Sequence, residues 1–354
     1  MSRYLSKKYA GLIPYVPGEQ PRDRAYIKLN TNESPFPPSR RAQKAARVAA
    51  KRLALYPDPT MSALREAFAE TLGIAPECCL ATNGSDEILN FAFAAFCDED
   101  TPAVYPDISY GFYGVFAELY RLPRRVIPLS EDLSIDPTAY YHAGGTVFIA
   151  NPNAPTGIAL SLSEVEEIVK NNPDNIVVID EAYVDFGAES AVSLIGKYDN
   201  LLVTQTFSKS RSMAGARLGF GIACPALIRD LDAIKYSTNP YNVNSMTAAV
   251  GIGTLADPAY TKKNCQSIIE TREYVLAELR AMGFTVTASV TNFVFATHPK
   301  LSGEVYYQAL RDRGILVRHF TGERICEYNR ITVGSRAEMQ TLLLATKAIL
   351  EEKQ

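Results

Sequence analysis

The 354 residues are 47% hydrophobic and 21% charged, enough to bury a large core and to divide into two domains. A formal net charge of −3 gives no electrostatic footprint for nucleic acid, and no apolar run is long enough to span a bilayer. We therefore predict a cytoplasmic protein without nucleic-acid or membrane partners. Six cysteines without C-x-x-C spacing and three scattered histidines predict reduced thiols and no metal site.

The N-terminal part of the chain predicts an extended arm followed by helical structure. Proline recurs within and just after residues 1–35, which favours an extended backbone that lies against another surface. Apolar residues recur at helical spacing over 85–96, directly after the break signal Asn83-Gly84. The free N–H groups at the start of this helix would suit a phosphate.

Three short apolar runs predict β-strands: TVFIA at 146–150, IVVID at 176–180 and LLVTQTF at 201–207. The intervals between them are long enough for crossover connections, which favours parallel pairing. Ser163 and Glu166 form a capping-box pattern that predicts a helix between the first two strands.

These elements predict an α/β fold in which a large domain, residues 36–240, has a mostly parallel central sheet flanked by helices. After residue 240 the sequence pattern changes, and residues 241–354 are predicted to form a smaller α+β domain. Its helices are expected over about 244–256, 260–281 and 303–314 and from 336 onward, and strands are expected at 315–320 and 330–334.

Chemically active side chains follow the predicted strands at one sheet edge. Asp180 ends IVVID, Lys209 follows LLVTQTF, and the turn NPNAPTG (151–157) follows TVFIA. Ligands bind at this carboxyl edge in open α/β sheets, and Arg217 can add a fixed charge there. An amine, a carboxylate and a helix start suited to phosphate are what pyridoxal 5'-phosphate requires.

The ordered motifs NPNAPTG, DEAY, FSKSRSMAGARLGF and RITVG resemble the fold-type-I pyridoxal-phosphate-dependent aminotransferases, most closely the histidinol-phosphate aminotransferases. The segments LIPYVPG, LNTNESPFPPS and LALYPDPT occur in the order expected for that family, so the resemblance covers nearly the whole chain. It implies a large cofactor-binding domain, a smaller C-terminal domain and a homodimer with shared active sites.

The resemblance also implies which residues bind the cofactor. Lys209 would form the Schiff base and move the proton, Asp180 would keep the pyridine nitrogen protonated, and Tyr183 would hydrogen-bond the phenolic oxygen. Tyr110 would stack on the ring, and Tyr56 would reach the phosphate from the other subunit. The remaining residues implied around the phosphate are Ser85, Asp86, Thr206, Ser208 and Arg217.

Substrate contacts are implied on the other side of the cofactor. Arg330 of RITVG matches the arginine that grips the substrate in these enzymes, and Arg318 and Tyr15 would join it around a substrate phosphate. Asn32 is a further expected substrate-binding residue.

One position departs from the family motif, which usually reads N-P-N-N-P-T-G. The asparagine that bonds the phenolic oxygen is replaced here by Ala154. We expect Asn153 to take over this contact, and the alternatives are Asn151 or Tyr183 alone.

The expected reaction is transamination of L-histidinol phosphate with 2-oxoglutarate, giving imidazole acetol phosphate and glutamate in histidine biosynthesis. Two alternatives on the same scaffold stay open: a threonine-phosphate decarboxylase, and an aromatic or other amino-acid aminotransferase. A non-catalytic regulator is disfavoured because no basic helix-turn-helix precedes residue 30.

Overall fold

The computed structural model describes residues 2–352, and a seven-stranded β-sheet organises most of them. Its strands and those of the other sheets are β1 (Ile27–Lys28), β2 (Cys79–Thr82), β3 (Ala103–Pro106), β4 (Arg124–Ile127), β5 (Thr146–Ala150), β6 (Val177–Asp180), β7 (Leu201–Thr206), β8 (Gly219–Ala223), β9 (Thr285–Val286), β10 (Phe293–Thr297), β11 (Ile315–Leu316), β12 (Arg318–His319) and β13 (Asn329–Thr332). The α-helices are α1 (Arg40–Ala49), α2 (Ser62–Leu72), α3 (Ser85–Phe96), α4 (Phe112–Tyr120), α5 (Leu162–Lys170), α6 (Pro225–Thr238), α7 (Ser245–Leu255), α8 (Pro258–Ala281), α9 (Gly303–Asp312) and α10 (Arg336–Glu352).

The order of the seven-stranded sheet is β2-β8-β7-β6-β5-β3-β4. β5, β6 and β7 pair in parallel, which confirms the prediction from their spacing. β8 runs antiparallel to both of its neighbours. Because β8 runs in the opposite direction, residues that precede it lie at the same edge as residues that follow the parallel strands.

Helices cover both faces of this sheet, so its central strands are apolar at nearly every position. In β5, Val147 and Ile149 belong to a buried cluster shared with α2 and α5. Phe148, between them, belongs to a second cluster shared with α3, α4 and α6. Burial on both faces holds the ends of these strands in fixed positions.

A smaller four-stranded antiparallel sheet has the order β12-β13-β10-β9. It shares a third buried cluster with α8, α9 and α10, which confirms the expected smaller α+β unit. Strand β1, from the N-terminal segment, pairs in parallel with β11. The N-terminal segment is therefore attached to the smaller unit by backbone hydrogen bonds.

Helix α7 packs differently from the rest of the C-terminal region. It contacts α1 and α2, and Ile252 and Leu255 pack against the cluster of the large sheet. The predicted boundary at residue 241 assigns this helix to the smaller domain. Among residues 2–352, no helix is long and apolar enough to cross a membrane.

The capping box of α5 lies two residues earlier than predicted. Ser161 accepts a hydrogen bond from the Glu164 N–H, and the Glu164 carboxylate accepts one from the Ser161 N–H. The prediction of Ser163 and Glu166 was wrong because both pairs have the spacing S-x-x-E. Ser163 lies within the helix, and the Glu166 carboxylate accepts a hydrogen bond from the Tyr198 hydroxyl.

Candidate active site

A cavity lies at the edge of the large sheet where the parallel strands end. Asp180 is the last residue of β6, Lys209 follows β7, and Arg217 precedes the oppositely directed β8. Strand direction therefore brings together residues that are far apart in sequence. The cavity is lined by Ser85, Asp86, Tyr110, Ala150, Ala154, Asp180, Ala182, Tyr183, Thr206, Ser208, Lys209 and Arg217.

Lys209 is partly buried and extends toward the N-terminal segment. Its ammonium group donates to the main-chain oxygen of Thr31 at 3.1 Å. Burial, together with the positive charge of Arg330, lowers the pKa of Lys209 to about 8. A lysine with this pKa is partly unprotonated near neutral pH, so it can act as a nucleophile and accept a proton.

Asp180 is buried, with 4% of its surface exposed, and two neighbouring side chains orient its carboxylate. One oxygen accepts from the Thr204 hydroxyl at 3.1 Å and the other from the Tyr113 hydroxyl at 3.4 Å. Burial raises the pKa of Asp180 to about 6 despite these hydrogen bonds. An ionised Asp180 would gain strongly from a cationic partner in the cavity, such as a protonated ring nitrogen.

The start of α3 forms an anion-binding end of the cavity. Gly84 is the N-cap, and the close approach of β8 requires Gly219, where an added Cβ would lie 2.3 Å from the Ser85 nitrogen. Arg217 donates to Asp86 at 3.0 Å and to the Ser208 hydroxyl at 3.3 Å. Helix N–H groups, hydroxyls and a guanidinium suit a phosphate.

Tyr110 forms one wall of the cavity and is held by Asp86. The Tyr110 hydroxyl donates to the Asp86 carboxylate at 2.6 Å. The ring of Tyr110 also contacts the edge of Tyr113, at a centroid distance of 5.8 Å. This double restraint fixes a flat aromatic surface beside Asp180.

A second cavity adjoins the first and shares Tyr110, Ala154, Tyr183 and Lys209 with it. Its other lining residues include Tyr15, Asn30, Thr31, Asn32, Ser109, Phe320, Arg318 and Arg330. The predicted substrate residues are therefore brought together with the predicted lysine.

Arg318 and Arg330 occupy directly opposed positions of the antiparallel strands β12 and β13. Arg318 donates to the main-chain oxygens of Val16 and Pro17, and Arg330 donates to the main-chain oxygen of Asn30 at 3.3 Å. Among residues 2–352, neither arginine has a carboxylate within 4.0 Å. Opposed like charges without an acid are unfavourable, and an anion between them would remove the repulsion.

Two of the residues predicted to bind the cofactor, Asn153 and Tyr56, do not line the first cavity. The Asn153 amide donates to the Ile108 oxygen and to the Thr156 hydroxyl, and its oxygen accepts from Ser109. Its hydrogen bonds hold the turn, so the structure gives no support to a contact between Asn153 and a ligand.

Tyr56 is 82% exposed and stacks on Tyr241 at a centroid distance of 4.7 Å, away from the cavity of its own chain. It borders a groove with apolar side chains that include Val48, Leu55 and Ile252.

Comparisons with known proteins place this geometry in a family. The sequence profile described as "Aminotransferase class I and II" matches residues 24–345. The chain belongs to this family.

Relatives of this aminotransferase match it over nearly their full lengths. A histidinol-phosphate aminotransferase from Brachyspira hyodysenteriae is 47% identical over 99% of this chain and 100% of the relative. "Histidinol-phosphate aminotransferase 1" from Bordetella parapertussis is 48% identical over 99% of both chains.

Solved structures show the same fold. Histidinol-phosphate aminotransferase from Sinorhizobium meliloti in complex with pyridoxal-5'-phosphate has a TM-score of 0.88 and 24% identity, covering 100% of both chains. L-threonine-O-3-phosphate decarboxylase from Porphyromonas gingivalis has a TM-score of 0.78 and 22% identity, covering 92% of this chain and 99% of that one. The predicted fold-type-I architecture is thereby confirmed.

Several residues of this aminotransferase site were not identified from sequence. Tyr113 and Thr204 contact Asp180, and the main chain of Thr31 contacts Lys209. Tyr113 lies on a buried helix face and Thr204 inside an apolar strand, so each resembled a core residue. The position of Thr204 two residues before the end of β7, opposite Asp180, is the one signal that could have identified it.

Proposed function

We propose that this aminotransferase binds pyridoxal 5'-phosphate in the first cavity and transaminates L-histidinol phosphate with 2-oxoglutarate. The products are imidazole acetol phosphate and glutamate, and the pathway is cytoplasmic histidine biosynthesis. The observation that carries the substrate assignment is the opposed pair Arg318 and Arg330, which lines the same cavity as Lys209. Within residues 2–352 no carboxylate pairs with either arginine. The names of the relatives support the same assignment.

The residues of the first cavity fit the proposed cofactor. The α3 N-terminus, Ser85, Thr206, Ser208 and Arg217 would hold its phosphate, because they combine N–H groups, hydroxyls and positive charge. When bound, pyridoxal phosphate supplies an aldehyde that condenses with amines and a ring that withdraws electrons.

The remaining cofactor contacts follow from charge and position. Asp180 would hold a proton on the ring nitrogen, because a buried carboxylate is stabilised by a facing cation. Tyr110 would stack on the ring, and Tyr183 would donate to the phenolic oxygen. Ala154 offers no polar group there and Asn153 is bonded elsewhere, so we assign this contact to Tyr183.

Lys209 is proposed to bind the cofactor aldehyde and to move the proton between substrate and cofactor carbons. Its lowered pKa, about 8, supports both roles, because the unprotonated amine is available near neutral pH. With its amine unprotonated, Lys209 would be the residue of this cavity that accepts and returns the proton.

Arg318, Arg330 and Tyr15 are proposed to bind the substrate phosphate. Arg330 is partly buried, and its burial and the nearby positive charge of Arg318 lower the pKa of its guanidinium. A dianion bound by both arginines would therefore be favoured. Tyr15 stacks on Phe112 at a centroid distance of 4.3 Å and lines the second cavity together with the two arginines.

A homodimer is proposed to complete the site. Tyr56 is exposed beside an apolar groove, and in its own chain it lies away from the cavity. Mixing Tyr56→Ala and Lys209→Ala subunits, each inactive alone, should restore activity in heterodimers with one intact site. A purified heterodimer as inactive as its parents would show that the site is not shared.

An amine-donor screen tests the function. Protein loaded with pyridoxal phosphate is mixed with one donor at a time without 2-oxo acid, and the change in cofactor absorption is followed. Histidinol phosphate should react fastest, ahead of histidinol, phenylalanine and aspartate, and 2-oxoglutarate should reverse the change. Faster reaction with phenylalanine or aspartate would overturn the substrate assignment.

A decarboxylase acting on threonine phosphate is the second candidate. The fold is shared with L-threonine-O-3-phosphate decarboxylase, and the arginine pair would also accept that substrate's phosphate. Release of carbon dioxide from threonine phosphate, faster than transamination of histidinol phosphate, would favour it.

A further inference from the structure

Asn32 lies between the smaller sheet and Tyr183, and each polar group on it has a partner. Its N–H donates to the Thr332 hydroxyl at 2.9 Å, and its main-chain oxygen accepts from Asn292 at 2.9 Å. Its side-chain oxygen contacts the same Thr332 hydroxyl at 3.1 Å, and its side-chain NH₂ donates to the Tyr183 hydroxyl at 2.9 Å. All four residues are buried, with exposures between 0% and 9%.

The donor and the acceptor can be assigned for each hydrogen bond that links Thr332, Asn32 and Tyr183. The Asn32 N–H can only donate, so the Thr332 oxygen accepts from it. Among residues 2–352, the Asn32 side-chain oxygen is the one acceptor for the Thr332 hydroxyl proton. The amide orientation is thereby set, with its NH₂ directed at Tyr183. The Tyr183 oxygen accepts this bond, so its own proton is directed elsewhere.

Tyr183 lines both cavities, and among residues 2–352 its hydroxyl proton has no hydrogen-bond acceptor. The phenol ring is fixed by edge-on packing against Phe293, at a centroid distance of 5.1 Å. A buried donor without an acceptor is unfavourable, so a ligand oxygen in the cavity is its natural partner.

We propose that Thr332 and Asn32 form a hydrogen-bond relay that fixes Tyr183 as a donor into the cavity. Asn32 is then a positioning residue that acts through Tyr183, in place of the substrate-binding role expected from sequence. The proposal rests on the proposed function, because the acceptor it implies is the phenolic oxygen of the bound cofactor. It also ties the small sheet to the cofactor, since Thr332 belongs to β13.

The backbone of Asn32 determines the best test variant. Its φ is 56°, in the left-handed region, which asparagine tolerates and glycine adopts freely. Asn32→Gly therefore removes the amide and leaves the two main-chain hydrogen bonds in place. Asn32→Ala would add backbone strain and confuse the result.

The experiment is a double-mutant cycle of Asn32→Gly and Tyr183→Phe in protein loaded with pyridoxal phosphate. The readout is the apparent pKa of the change in cofactor absorption with pH. A hydroxyl that donates to the phenolic oxygen stabilises its ionised form, so removing the donor raises this pKa. Asn32→Gly should raise it by about 0.5–1 unit, the size expected for one hydrogen bond, and should add nothing once Tyr183 is phenylalanine.

Two threonine variants form a matched control pair. Thr332→Val removes the relay hydroxyl and should shift the pKa in the same direction by a smaller amount. Thr346→Val removes an equally buried hydroxyl of the smaller unit, bonded to Tyr306, and should leave the pKa unchanged.

Three outcomes would overturn the relay. One is a shift from Asn32→Gly that persists in the Tyr183→Phe background, because Asn32 would then act independently of Tyr183. Another is an unchanged absorption pKa with a raised KM for histidinol phosphate, which would make Asn32 a substrate ligand. A wild-type protein that binds no pyridoxal phosphate would overturn the proposed function together with the relay, whereas the first two outcomes leave the function standing.

Discussion

The two adjoining cavities differ in how their charges are compensated. In the first, Arg217 is paired with Asp86, and Asp180 accepts hydrogen bonds from Thr204 and Tyr113. In the second, Arg318 and Arg330 face each other with main-chain oxygens as their partners. The charged Arg217 and Asp180 of the first cavity are thus paired with protein side chains, whereas within residues 2–352 no carboxylate pairs with the two arginines of the second.

This difference follows from the elements that build each cavity. The first is placed by strands of the large sheet, which are buried on both faces and hold their ends rigidly. The second is placed by the two-residue strand β12, by β13 and by the N-terminal segment. We therefore expect substitutions at the large-sheet cavity to affect the reaction itself, and substitutions at the smaller sheet to affect substrate preference.

The largest effect should come from Lys209, which links the two cavities. Lys209→Ala should reduce turnover by at least about 10³-fold, because nucleophile and proton carrier are lost together. Lys209→Arg should be equally inactive, since a guanidinium stays protonated at neutral pH. Borohydride reduction and peptide mapping should label Lys209 in the wild type; label on Lys235, a buried lysine paired with Asp232, would contradict the assignment.

Substitution of Asp180 tests whether this residue holds a proton on the cofactor ring. Asp180→Asn should lower turnover by roughly 10²–10³-fold with a smaller change in cofactor affinity, because an amide cannot stabilise a ring cation. Steady-state kinetics and a cofactor titration measure the two effects separately. Near-normal turnover would mean that another group holds the ring proton.

The neighbouring Glu181 provides a matched control with its own pH signature. It is buried, accepts from Ser190, the Ala191 N–H and Gln205, and does not line the cavity. Burial raises its pKa from 4.5 to about 7, so it stabilises the fold below pH 4.5 and loses this contribution as the pH rises through about 7.

In the wild type, the titration of Glu181 should lower the free energy of unfolding by on the order of 3 kcal/mol between pH 4.5 and 7. Glu181→Gln removes this titration, so this part of the decrease should disappear. Denaturant unfolding at several pH values measures the change. Turnover per folded molecule should stay close to wild type, and a loss as large as that of Asp180→Asn would remove the distinction between the two carboxylates.

The residues that line the first cavity could be predicted from sequence more fully than the contacts that hold those residues in place. Asp180, Lys209 and Arg217 stand directly beside strand ends, and parallel strands bring such residues together whatever the details of packing. The relay bond between Asn32 and Tyr183 joins residues separated by 151 positions, and no local pattern encodes it.

The sequence also does not show which side chains of a turn point into a cavity and which bond the turn itself. Asn153 stands beside Ala154 in NPNAPTG, yet Ala154 lines the cavity while Asn153 bonds the turn. Likewise, two overlapping S-x-x-E patterns could each have started α5; the helix begins after Ser161, and Glu166 instead accepts a hydrogen bond from Tyr198.

The arginine pair should show a moderate, substrate-specific effect. Losing the phosphate of histidinol phosphate should lower kcat/KM by about tenfold or more for each arginine contact, since charge-assisted bonds are worth roughly 1.5–3 kcal/mol. Arg318→Ala should therefore narrow the gap between histidinol phosphate and histidinol. Arg313→Ala, which removes an arginine already paired with Glu352, should leave the gap unchanged. An Arg318 variant that slows both substrates alike would show that the pair is structural.

The smallest effect should come from substitution of Tyr113, which lies behind Asp180 at the first cavity. Its hydroxyl donates to Asp180 at 3.4 Å, a long hydrogen bond that modestly favours the ionised carboxylate. Tyr113→Phe should raise the pKa of Asp180, so the acidic limb of the kcat/KM profile should move toward higher pH by less than about one unit. Tyr306→Phe, which removes another buried hydroxyl, from the smaller unit, should leave the limb in place. A limb that stays fixed in Tyr113→Phe would mean that the ionised Asp180 does not depend on Tyr113 and is stabilised by Thr204, the closer donor at 3.1 Å, and the Ala182 N–H.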